Sequence, residues 1–158
     1  LVADTGNKRI VKYTPTGAEI QQIGGGGVVP GRFEEPTDVA VDPTDGSIFV
    51  ADAWNRRIQK FTSELEFVAE WPVPSWESQD RFHKPYLDDD LEGRVLASDP
   101  YMFRVFNFEP EVEITATFGN FGTEDNRFAM PNGIATDPRN GELLVADAGN
   151  TRVMLFQP

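Results

Sequence analysis

Residues 86–90 read Tyr-Leu-Asp-Asp-Asp, the densest run of carboxylates in the chain. Carboxylate oxygens are the hard ligands that divalent cations take. Adjacent carboxylates buried without a partner are costly, so they must meet water, a cation or a basic side chain. Asp88 and Asp89 are therefore candidate ligands for a divalent cation; solvation at a strand end, or pairing with a nearby Arg or Lys, is the structural alternative. His83, beside Lys84, is the only histidine and reads as a surface residue. There is no cysteine, which excludes thiol chemistry.

A second constellation recurs. Asp4/Arg9, Asp52/Arg57, Asp99/Arg104 and Asp147/Arg152 keep one spacing, and the aspartates fall 48, 47 and 48 residues apart. Four residues after each arginine stands an aromatic: Tyr13, Phe61, Phe108 and Phe156. Arg-Phe-x-x-Pro keeps the same period at 32–36, 81–85 and 127–131. A catalytic group would appear once; a motif written four times is a fold determinant. Its carboxylate can accept backbone amides in a turn and pair with the guanidinium. Phe33, Phe82 and Phe128 read as packing anchors for the loops that carry them.

The elements that must hold these residues are short strands. Residues 36–71 alternate as "PTDVAVD", turn at "PTDG", continue as "SIFVAD", turn again at "AWNR", and go on as "RIQKFT" and "FVAEW". Four short strands joined by tight turns make an antiparallel meander, and such a unit repeated at this period is the blade of a β-propeller. The expected fold is all-β: partial blades at 1–23 and 131–158, full blades at 36–71 and 85–118, about half of a six-bladed ring. One blade cannot bury both faces of its sheet, so stacking must do it. That accounts for the nearly continuous apolar runs "IFVAD" and "LLVAD". The chain reads as part of a longer protein whose remaining blades complete the ring.

"PTDVAVDPTDGSIFVADAWNRRIQKF" and "PNGIATDPRNGELLVADAGNTRVMLF" resemble NHL repeats, whose family fold is a propeller, commonly of six blades. The third repeat is most similar to bacterial arrays. That resemblance implies a rigid interaction module of an extracytoplasmic or membrane-associated protein. The same blade also resembles the peptidyl-hydroxyglycine amidating lyases, which place zinc-ligating histidines after the blade proline. Thr37, Tyr86 and Asn132 stand there instead, and one histidine cannot assemble a three-His zinc site. Resemblance to sugar-lactone hydrolases, which hold a channel metal with Asp, Glu and Asn, implies Asp88, Asp89 and Asn132 as ligands.

Function should lie where the repeats differ, on the face where the interblade loops 24–35, 72–84 and 119–130 and the second-to-third-strand turns emerge. We term this the upper face. Thr37, Asp38, Tyr86, Asn132 and Gly133 sit at the channel mouth, Trp54, Tyr101 and Met102 stand at turn tips, and the two aromatics take the place that Gly6 and Gly149 hold in sister repeats. Exposed aromatics on a rigid rim suit a protein or carbohydrate partner; the alternative is that they fold onto a neighbouring blade. The formal charge of −12 argues against a general nucleic-acid role. No apolar run approaches the ~18 residues of a membrane span.

Overall fold

A computed structural model describes residues 1–76, 81–109 and 114–157. The chain forms four antiparallel sheets in sequence order. The first holds β1 (Val2–Asp4), β2 (Arg9–Tyr13) and β3 (Glu19–Gly24). The second holds β4 (Pro36–Val41), β5 (Ile48–Asp52), β6 (Arg57–Phe61) and β7 (Phe67–Pro72). The third holds β8 (Leu87–Asp89), β9 (Val95–Asp99), β10 (Arg104–Phe108) and β11 (Ile114–Phe118). The fourth holds β12 (Pro131–Thr136), β13 (Leu143–Asp147) and β14 (Arg152–Phe156). Each sheet is a simple meander, with neighbours in space also neighbours in sequence. β5 and β9 are buried at every residue, as strands with a sheet on both sides must be.

Three apolar clusters lie in the seams between successive sheets, and each takes one bulky residue from the interblade loop. Phe33 joins Ile10, Ile48, Val50 and Phe61 in the first seam. Trp76 joins Ala40, Phe49, Leu87 and Phe106 in the second. Phe128 joins Leu96, Val105, Leu143 and Val145 in the third.

The second seam corrects the reading of Phe82 as an anchor: it is 68% exposed, whereas Phe33 and Phe128 are fully buried. The reason is one residue upstream of the loop. β3 ends at Gly24 and β11 is followed by Gly119, both at positive φ, and a Cβ on either would strike the anchoring phenylalanine. The residue in the same register of the second sheet is Pro72, opposite Arg57 as Gly24 is opposite Arg9. Proline is locked at negative φ. The loop takes another path, Trp76 fills the seam, and its indole N–H donates to the Ser98 carbonyl at 3.2 Å.

Candidate functional site

Asp52–Arg57 and Asp147–Arg152 are each the centre of a clamp. Asp52 Oδ1 accepts the Glu34 amide at 3.0 Å, and Oδ2 accepts Asn55 Nδ2 at 2.7 Å and Arg57 Nε at 3.0 Å. The rest of the Arg57 guanidinium donates to the carbonyls of Val28 and Arg32. Asp147 repeats the pattern with the amides of Ala129 and Met130, Asn150 and Arg152. Burial pushes the Asp147 carboxyl up; these donors outweigh burial and hold it below its ordinary pKa. The clamp thus ties an interblade loop to the turn that follows the second strand. The amides it takes lie 17–18 residues upstream, not in its own turn, and the asparagine is a third member that spacing alone did not reveal. In the third repeat Met102 stands where the others have asparagine, and Asp99 takes the Met102 amide instead.

The channel-mouth residues turn out to be seam residues as well. Thr37 Oγ1 donates to the Pro85 carbonyl at 2.9 Å, and Asp38 Oδ2 accepts the Leu87 amide at 2.9 Å. Asp88 Oδ2 accepts the Thr136 amide at 2.5 Å. β8 and β12 are edge strands of their sheets, so these amides have no ladder partner, and an aspartate of the preceding blade satisfies each one. Burial raises the Asp38 pKa, partly offset by the amides of Leu87 and Val39. Asn132 Nδ2 donates to the Phe82 carbonyl at 3.1 Å. The Tyr86 amide donates to Ser98 Oγ at 2.9 Å.

Asp89 points to the opposite side of β8 from Asp88, as successive strand residues do. It is 9% exposed, shares its face with Leu87, and has no hydrogen-bond partner among the described residues. Burial, then the charges of Asp88, Asp42, Asp90 and Asp45, push its pKa up to about 8. The two candidate cation ligands therefore do not converge. Among the described residues no three His, Cys, Asp or Glu side chains are grouped to hold a metal ion. Thr37, Tyr86 and Asn132 do not provide zinc ligands of the amidating-lyase kind, and these residues do not fit that metal.

The turn tips behave differently. Trp54 and Met102 are 57% and 51% exposed. Tyr101 is half-buried and lies against His83, ring centroids 4.6 Å apart. Lys84 pairs with Glu35 at 2.8 Å, and the Glu35 carbonyl accepts the Ala53 amide beside Trp54. Trp54, Glu35, Lys84, His83, Tyr101 and Asn132 are thereby joined, with Phe82, along the top of three blades.

Stacked meanders with loop-to-turn clamps define the chain as a run of β-propeller blades. It aligns with a streptogramin B lyase at a TM-score of 0.66 and 14% identity, over 97% of this chain and 49% of that one. A virginiamycin B lyase from Staphylococcus aureus, solved with quinupristin, aligns at 0.66 and 16% over 98% of this chain and 50% of that one. The NHL repeat model matches residues 33–61 and 128–154. These two stretches are NHL repeats. Its curated relatives include the peptidylglycine alpha-amidating monooxygenase of Rattus norvegicus, 26% identical over 80% of this chain. This chain spans 9% of that relative's length and about half of the lyases.

Proposed function

We propose that this chain is a rigid binding platform whose upper face receives a protein or carbohydrate partner. One observation carries the reading: exposed large apolar side chains gather in the upper loops and turns. Val28, Val29, Trp54, Phe82, Met102 and Phe121 are all more than half exposed there. Among the described residues, the turns on the opposite face expose Leu91 alone. An apolar patch on a stable scaffold marks an interaction site, and Trp, Phe and Met are the residue types enriched in such sites.

Selection of a random peptide phage library and a glycan array on the immobilised chain tests this. Ligands should be recovered that bind the Trp54→Ser/Phe82→Ser/Phe121→Ser variant at least tenfold more weakly, since aromatic anchors often contribute about 2 kcal/mol each. Ligands that bind parent and variant equally would refute the upper face as the platform.

The lyase neighbours and amidating relatives favour a second reading, in which these blades are one side of a catalytic ring. On that reading the completed ring binds a metal through ligands on other blades, and calorimetric metal binding survives Asp88→Asn. Loss of metal binding in that variant would put a ligand on β8.

A further inference from the structure

Charge divides between the two faces. The lower turns carry Asp45, Glu64, Glu66, Glu92, Asp137 and Glu142. Their two arginines are already engaged, Arg94 with Asp90 at 2.6 Å and Arg139 with Asp137 at 2.5 Å. The upper loops and turns carry both signs. Three arginines have no carboxylate partner among the described residues, Arg32, Arg56 and Arg81; all are exposed, and all lie in upper loops or turns. In the upper loops Asp125 alone among the described carboxylates has no cation partner, and Asp38 at the channel mouth accepts the Leu87 amide instead of a cation; Glu34 and Glu35 are taken by Lys8 and Lys84. Each of the three arginines stands beside exposed apolar side chains. The Arg32 amide donates to the Val29 carbonyl, Arg56 follows Trp54 by two residues, and Arg81 precedes Phe82.

The net charge of −12 does not decide what this face attracts. Strands of five or six residues, at about 3.3 Å per residue, separate the faces by roughly 17–20 Å. The Debye length at physiological salt is about 8 Å. A ligand at the upper face therefore meets the local charges, the three exposed arginines among them.

Given the platform reading, we infer that the partner seated on the upper face is an acidic peptide segment whose carboxylates alternate with apolar side chains. Arginine suits carboxylates through its planar fork, and the apolar neighbours supply the contact area. Three separated arginines make a poor phosphate track, which needs a continuous basic stripe, and a poor lipid anchor, which takes a polybasic cluster.

The phage selection separates this inference from the platform itself. Selected peptides should be enriched in Asp and Glu next to apolar residues. A synthetic copy of the dominant peptide should lose roughly fivefold to tenfold in affinity, read by fluorescence anisotropy, when its carboxylates become amides. Arg56→Gln/Arg81→Gln, at two side chains without a partner among the described residues, should cause a similar loss, larger at low salt, with an unchanged circular dichroism spectrum. Neutral or basic selected peptides, equal affinity of the amide twin, or no effect of the double variant would overturn the inference and leave the platform standing. Binding confined to phosphatidylserine-containing vesicles would overturn it in favour of a lipid surface. Selected peptides indifferent to the Trp54, Phe82 and Phe121 changes would instead sink the platform reading.

Discussion

A Cβ placed on Gly119 would lie 2.5 Å from the ring of Phe128. Gly24 stands in the same relation to Phe33, at 2.9 Å, and both glycines have positive φ. Alanine at either position meets backbone strain and overpacking together. Gly24→Ala and Gly119→Ala should each lower stability by about 2–4 kcal/mol in chemical denaturation. Gly6→Ala, which meets nothing within 4 Å, should change it by less than about 0.5 kcal/mol. Equal effects at all three positions would refute the close-approach explanation.

The clamps should differ in strength according to burial. Arg57 and Asp52 have side chains 8% and 0% exposed, while Arg104 is 28% exposed and donates at 3.2 Å. Removing one partner of a buried pair leaves an uncompensated charge, which costs about 3–5 kcal/mol. Arg57→Ala should show a loss of that order and Arg104→Ala no more than about 2 kcal/mol. The contrast is read from denaturation midpoints of the two variants; equal losses would show that burial does not set the value of the clamp.

Much of the scaffold was legible because its signals are local and repeated. Strand alternation, turn residues and the Asp-x4-Arg spacing each mark a blade without any tertiary information. What was missed depended on contacts between distant segments. The clamp's amides come from a loop upstream, so no spacing within the nine-residue motif announces them. Thr37, Asp38 and Asp88 looked like channel-facing groups, and in the fold they close the seam to the next blade. Phe82 matched its sister phenylalanines in sequence, and the departure was signalled ten residues earlier, by proline at 72 where the register has glycine. The acidic character of the lower turns was equally present in the sequence. It becomes visible only when alternate turns are assigned to opposite ends of the meander.

Every clamp turn passes through the left-handed region just before its arginine: Lys8, Arg56, Phe103 and Thr151 have φ between 52° and 57°. That conformation costs an L-residue roughly 1–2 kcal/mol, and a β-branched residue is a poor occupant. Thr151 is exposed, so its side chain gives little in return. Thr151→Gly should raise stability by about 0.5–1 kcal/mol, and Thr151→Asn by somewhat less. A thermal shift downward for both would mean that the threonine side chain has an unrecognised role.

Asp89 supplies the last test, because its burial makes the second seam sensitive to pH. Its folded pKa, about 8, stands above the ordinary 3.8 of the unfolded chain. Below 3.8 the carboxyl is protonated in both states and costs nothing. Between 3.8 and 8 the unfolded chain ionises freely while the folded chain must keep its proton, so stability falls by up to about 1.4 kcal/mol per pH unit. Above 8 both states are ionised and the full penalty remains. Val41 occupies the corresponding position of the second sheet, opposite Ile48 as Asp89 is opposite Val95. Asp89→Val should therefore raise the melting temperature at pH 7.5 and leave it nearly unchanged near pH 3.5. Subtracting the variant's stability from the parent's should give a difference that grows across pH 4–8 and then levels. A difference that is flat with pH would show that Asp89 titrates normally and that the seam holds no protonated carboxyl.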